Sequence, residues 1–189
     1  MPDAQPATQD PRSPGFDLRA VNQTVITEYR ATGGVLEKTL PGSRLVLLTT
    51  TGRRTGREHT TPLGYVTDPL GAPTDPLGQA ADPLGQAAES WDAGRPAGAG
   101  SPGGRPDRLV VFASNMAAPR HPDWYLNLTA NPKVVVELGR ERVEAEAVTA
   151  VGAERDRLHA ALAETMPGIR GHQEQVEREI PVVVLALLG

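Results

Sequence analysis

The chain has 189 residues, a net charge of −4 and no cysteine. That length is enough for one domain with a real core. The absence of cysteine excludes disulfides and thiolate metal sites, and the net acidity speaks against a general nucleic-acid binder, whose surface must be basic. The four histidines, His59, His121, His159 and His172, lack zinc-type spacing, so no metal site is expected.

Residues 1–16 combine proline with polar residues and hold no apolar stretch, so they read as a disordered tail and not as a signal peptide. Asp17 to Thr32 predicts a helix, capped by Asp17 and stopped by Gly33-Gly34, with Val21, Val25 and Ile26 as a partial apolar stripe. Ser43 to Thr51 and Glu58 to Thr67 predict two strands. The turn between them carries Arg53, Arg54 and Arg57. A guanidinium makes paired charge-assisted hydrogen bonds to phosphate or carboxylate. Gly52 and Gly56 allow a tight turn, and Thr51 and Thr55 add hydroxyls. Two readings stand for this turn: a pocket for an anionic group, or a solvated hairpin. It is no P-loop, because no Gly-Lys-Ser/Thr ending and no helix follow.

Asp68 to Ala88 is a tandem repeat built on Asp-Pro-Leu-Gly, and a Gly/Pro-rich stretch follows it. Proline in every copy excludes a coiled coil. The segment reads as a low-complexity, disordered insert at about 68–106 in an otherwise ordinary hairpin. The alternative is a lid or partner-binding segment anchored by Leu70, Leu77, Leu84 and Trp91. Arg108 to Ser114 predicts a third strand, at whose end the small Ala113 and Ser114 leave room for a flat ring. Pro122 to Leu128 predicts a short helix. Trp124 and Tyr125 offer aromatic area there, although Trp124 and Leu128, one helical turn apart, equally suit a core. Val134 to Leu138 and Glu141 to Ala150 predict a hairpin, and Gly152 to Thr165 a helix with Leu158, Ala161 and Leu162 on one face. Arg170 to Glu179 reads as a polar helix or turn, and a buried strand begins at Pro181. His121 and His159 read as surface residues. The sum is an α+β protein or small barrel of about six mostly antiparallel strands with flanking helices. Val182 to Leu188 is too short an apolar run to span a bilayer, and a soluble cytoplasmic protein is expected.

Four ordered stretches, "LLTTTGRRTGREHTTPLGYV", "VVFASN", "PDWYLNLTANPKVVVELG" and "REIPVVVL", resemble the deazaflavin-dependent nitroreductase family over roughly Val21 to Leu188. The resemblance implies a split β-barrel that binds reduced coenzyme F-420, whose tail carries a phosphate and glutamates. It places Arg53, Arg54, Thr55, Gly56 and Arg57 around the phosphate. His59 stands where the family often carries arginine. Pro62 and Leu63 would line the ring, with Ala113, Ser114 and Asn115 along its edge and Trp124 and Tyr125 closing the pocket. Met116-Ala117 stand where Gly-Gly is frequent, which implies a stiffer loop. Ile169, His172 and Gln175 occupy the places of substrate-facing tyrosines in nitroimidazole reductases.

The implied activity is hydride transfer from the reduced coenzyme to an enone, quinone or nitroaromatic, with Ser114 as donor near the ring and His172 as proton source. The alternatives are an FMN-binding reductase of the same fold and a deazaflavin-binding protein without turnover. A homodimer is compatible with the fold.

Overall fold

The computed structural model describes residues 17–68 and 106–188. Both the N-terminal tail and the repeat, with Leu70, Leu77, Leu84 and Trp91, lie outside the described residues.

Helix α1 spans Leu18–Thr32. The Asp17 carboxylate accepts from the backbone N–H groups of Arg19 and Ala20, and Gly33 ends the helix in the left-handed conformation. Its buried face is Val25, Ile26 and Tyr29, whereas Val21 is 41% exposed, so the stripe lies one turn further along than expected. Strands β1 (Leu45–Thr51), β2 (Glu58–Thr67) and β3 (Arg108–Phe112) follow, then a left-handed turn at Asn115–Ala117 and helix α2 (Asp123–Ala130). The chain continues through β4 (Lys133–Leu138), β5 (Glu141–Thr149), α3 (Gly152–Thr165), α4 (Gly168–Glu174) and β6 (Val182–Leu187).

The six strands close into a barrel in the order β1-β2-β3-β6-β5-β4, every neighbouring pair antiparallel. Closure gives every strand two neighbours over part of its length, which leaves little sheet edge to protect. The expected hairpin across the insert is present, with Tyr65, Val66 and Thr67 facing Val111, Val110 and Leu109.

Strand alternation sorts the apolar residues into an inner and an outer set. Val46, Leu48, Leu109, Val111, Val136, Val183 and Leu185 fill the interior, together with Trp124 and Leu128 from α2. Val110, Val182 and Val184 point outward and are covered by Leu158 and Leu162 of α3. Leu47 points outward beneath Val25, Ile26 and Tyr29 of α1. Helices on the outside explain why β1, β3 and β6 read as continuous apolar runs. On α3, Ala163 is buried beside Leu158 and Leu162 where Ala161 was expected.

The insert departs from a clamped root. The Asp68 side chain has no exposed surface, and Arg157 holds it with two bonds of 2.8 and 3.2 Å, with Arg108 at 3.5 Å.

Candidate functional site

The turn between β1 and β2 is closed by its own backbone. The N–H of Gly52 donates to the Arg57 carbonyl at 2.7 Å, and the N–H of Gly56 donates to the Gly52 carbonyl at 2.8 Å. The two glycines serve different needs. Gly56 has φ +67°, a conformation that disfavours any Cβ. A Cβ on Gly52 would lie 2.9 Å from the Thr55 hydroxyl and 3.1 Å from both the Arg57 carbonyl and the His59 ring.

Arg53, Arg54, Arg57 and His59 are exposed, and none forms an ion pair among the described residues. Three unneutralised guanidiniums beside one another repel unless an anion joins them.

Asn127, not singled out from the sequence, anchors this turn. Its Oδ1 accepts from the Arg53 N–H at 3.1 Å and its Nδ2 donates to the Thr50 hydroxyl at 3.3 Å, all within a 7%-exposed side chain. Its motif was visible in the sequence, but a side chain's partner 74 residues away was not.

The barrel is split beside this turn. β2 stays paired with β1 over its length, from Gly64 facing Leu45 to Glu58 facing Thr51. Its pairing with β3 stops at Tyr65 and Val111. Had the ladder continued, Leu63 would face Ala113 and Pro62 would face Ser114. The strands part there instead. Pro62, which has no N–H to give, sits where β2 has lost its second neighbour. Of the residues expected beside a ring, Pro62, Ser114 and Asn115 are half-buried around this break, whereas Leu63 packs against the interior core and Ala113, with no exposed surface, is part of it.

Past β3 the chain makes three consecutive left-handed residues without glycine: Asn115 (φ 51°), Met116 (φ 53°) and Ala117 (φ 58°). Such residues cost roughly 1–2 kcal/mol each, asparagine least. The turn is closed by Ala117 N–H to the Ser114 carbonyl at 3.1 Å and Ala118 N–H to the Asn115 carbonyl at 2.9 Å. The Asn115 amide also donates to the Arg120 carbonyl at 3.0 Å. The Ser114 hydroxyl makes no capping bond to the turn.

Arg178, which opens the "REIPVVVL" stretch but has no role readable from the sequence, reaches across to this turn. It donates to the carbonyls of Ala118 (3.1 Å), Ser114 (2.8 Å) and Ala113 (3.4 Å), and to Nδ1 of His121 (3.1 Å). His121 is thus no surface residue, contrary to expectation. Desolvation and then the Arg178 charge lower its pKa, and its ring packs on Tyr125 at 5.1 Å. His159 is likewise half-buried, its ring tilted against Phe112 at 5.5 Å, with Nε2 buried and unpartnered among the described residues.

Tyr125 is half-buried, with its hydroxyl 3.3 Å from that of Thr149. Trp124 meets it edge-on at 6.2 Å and is 7% exposed within the interior core, as its packing reading required. Of the residues expected to face substrate, Ile169 is 7% exposed in the outer core under α3. Gln175 is exposed and bonds back to the Gly171 carbonyl at 2.8 Å. His172 is half-buried with Nδ1 buried and unpartnered among the described residues, on the α4 helix that packs against the left-handed turn. A cavity of about 250 Å³ is bordered by Thr49, Thr51, Glu58, Lys133 and Glu144; none of the expected ring residues lines it.

The profile of the F420H(2)-dependent quinone reductase family matches residues 21–69 and 103–186. The chain belongs to that family. The match steps over 70–102, the repeat-bearing part of the sequence. F420H(2)-dependent quinone reductases from two strains of Mycobacterium tuberculosis are 29% identical over 161 residues, covering 83% of this chain and 83% of theirs. A solved F420-H2 dependent reductase, FDR-A, is 25% identical with a TM-score of 0.50, covering 75% of this chain and 92% of that one. A second solved chain, described as a domain-swapped dimer, shares the fold at 24% identity and TM-score 0.52, covering 86% of this chain and 96% of that one.

Membership in this quinone reductase family makes the chain an oxidoreductase of a group that works with reduced F420. The split-barrel resemblance read from the four motifs agrees with it, and a quinone was one of the three acceptor classes expected. No helix among the described residues is long and apolar enough to cross a membrane.

Proposed function

We propose that this quinone reductase family member binds reduced F420 with its anionic tail on the 52–57 turn and its ring in the opening between β2 and the segment after β3, and reduces a quinone. The observation that carries this reading is the set of Arg53, Arg54 and Arg57, exposed and without acidic partners among the described residues, on a turn pinned by Asn127. FMN, with one phosphate and no glutamates, calls for less positive charge.

When bound, the reduced coenzyme supplies a hydride. The remaining work falls to this chain. Arg53, Arg54, Thr55 and Arg57 hold the tail, with His59 beside them. Pro62 and Leu63 on one side and Ala113, Ser114 and Asn115 on the other confine the ring, and Tyr125 closes the slot. The Ser114 hydroxyl, unused by its own turn, is placed to donate to the oxygen that gains negative charge in the acceptor. His172, with its unpartnered Nδ1 on a helix against that turn, is the proposed proton source. Its replacement by glutamine should lower turnover, within the hundredfold to ten-thousandfold range of general acids, and leave coenzyme affinity unchanged.

The deciding experiment titrates F420, FMN and nicotinamide dinucleotides against the protein, then follows quinone reduction in stopped flow with coenzyme deuterated at the transferred position. F420 should bind most tightly and the deuterium should slow the reaction. Preference for FMN would sink the cofactor assignment; tight F420 binding without turnover on any quinone would leave a carrier protein. Light scattering of the same preparation tests the further proposal that two copies pair.

A further inference from the structure

We infer that Arg178 is a positioning residue: its single guanidinium braces the left-handed turn carrying Ser114 and Asn115 and fixes His121 in the tautomer whose proton sits on Nε2. Three observations carry this. First, Arg178 is a half-buried cation with no carboxylate partner among the described residues. Its charge is instead spread over the carbonyls of Ala113, Ser114 and Ala118. A half-buried charge held by carbonyls and a neutral imidazole, with no carboxylate, is desolvated for a geometric return.

Second, those carbonyls bracket the three left-handed residues. The turn's own bonds are the two that close it and the Asn115 amide to the Arg120 carbonyl. A strained backbone persists only where its surroundings over-determine it, and Arg178 supplies bonds on both flanks. The brace reaches the turn from 64 residues away in the chain, between α4 and β6.

Third, a guanidinium can only donate, so Nδ1 of His121 must accept. A neutral imidazole then carries its proton on Nε2, and that ring nitrogen becomes a fixed donor. The groups facing His121 are Arg178 and the Tyr125 ring, while Arg120 and Asp123, paired at 3.8 Å, flank it in sequence. Arg178 and burial both oppose a second proton on the ring. Tyr125 connects this arrangement to the opening. That last link, and only that, rests on the coenzyme reading proposed above.

The test begins in the ligand-free protein, so it stands whether or not F420 binds. Nitrogen-15 shifts of the His121 ring report tautomer and titration directly. Wild type should show an Nε2–H tautomer that protonates below the ordinary histidine range. Arg178→Met should mix the tautomers and raise the titration midpoint. Unchanged ring shifts and midpoint in a folded Arg178→Met protein would overturn the tautomer role. Arg178→Lys, which keeps a charge without the planar fork, provides a second variant if the methionine form does not fold. It should keep the midpoint low but lose the single tautomer, and wild-type spectra would overturn the inference.

For the brace, the readout is a double-mutant cycle with Met116→Gly/Ala117→Gly, which relieves the left-handed strain at two of the three residues and leaves only asparagine, the residue that tolerates it best. Arg178→Lys should weaken F420 binding about tenfold, the equivalent of one charge-assisted hydrogen bond. It should weaken it clearly less in the glycine background. Equal losses in both backgrounds would overturn the brace. If F420 fails to bind wild type, the same cycle is read on the thermal midpoint: a smaller drop in the glycine background supports the brace, and an equal drop overturns it.

Discussion

Replacing Arg54 with alanine removes one planar donor fork from the 52–57 turn and breaks no hydrogen bond among the described residues. F420 affinity should fall by roughly 1.5–3 kcal/mol, the range for a hydrogen bond to a charged group. The loss should shrink for a coenzyme fragment without phosphate and glutamates, and calorimetric titration of both ligands checks it. Equal losses would mean that the turn does not read the tail.

A second residue carries a pH signature. The Glu28 carboxyl is held at about 2, below its usual 4.5, by the neighbouring Thr39 hydroxyl and the backbone N–H groups of Lys38, Glu37 and Thr39. Those three N–H groups donate at 2.8–2.9 Å, whereas the hydroxyl, though close, makes no hydrogen bond of ordinary geometry. A depressed carboxylate stabilises the fold fully above its unfolded pKa, and the contribution fades as pH falls through the folded value. Thermal midpoints should therefore lose this contribution between about pH 4.5 and 2. Glu28→Gln should be less stable at neutral pH and flatter across that window. Parallel curves would remove Glu28 from the acid response.

Among the elements, the left-handed turn offers the cleanest stability test. Ala117, at φ 58°, gains nothing from its methyl in that conformation. Ala117→Gly should raise stability by about 1 kcal/mol, the left-handed strain net of glycine's extra freedom in the unfolded chain. Chemical denaturation measures it, and a loss of stability would mean that the methyl packs.

This turn also marks where sequence reading stopped. The bounds of α1 were legible because Asp17 and Gly33 sit at its ends. Those of β2 and α3 were legible because turn residues sit at theirs. The arginine turn was legible because its charge and glycines are local. Asn127 and Arg178 were not, since each acts on backbone far along the chain and looks like an ordinary polar residue among its neighbours. The assignment of His121 to the surface failed for the same reason. Trp124 was legible only as a choice between core and ligand, and packing decided it.

At the scale of the whole molecule, the root of the insert matters more than its length. Removing residues 69–105 and closing the hairpin with a short turn should leave the barrel folded, because loop-closure entropy changes by only about 0.6 kcal/mol per doubling of length. A deletion that also takes Asp68 should be less stable by about 2 kcal/mol. That is below the usual 3–5 for a broken buried pair, because Arg157 and Arg108 still reach solvent. Denaturation of the two deletions side by side separates the cases. If both unfold, part of the insert belongs to the core; if both fold and quinone reduction disappears, it acts as a lid.

The closed strand order has a consequence for how the protein could be taken apart. Residues 17–68 supply α1, β1 and β2, and residues 106–188 supply everything else. The two pieces meet along two seams, β2 with β3 and β1 with β4. Side chains pin them as well: Asp68 to Arg157 and Arg108, Arg30 to Glu137, Asn127 to Thr50 and the Arg53 N–H, and the Tyr29 hydroxyl between the Glu137 carbonyl and the Gly139 N–H. The candidate site is divided the same way, with the arginine turn on the first piece and Ser114, Asn127 and Arg178 on the second. Expressed as separate polypeptides, 1–68 and 106–189 should find each other and co-elute as one particle. F420 binding should then require both, which would make this barrel a two-part reporter whose signal depends on reassembly.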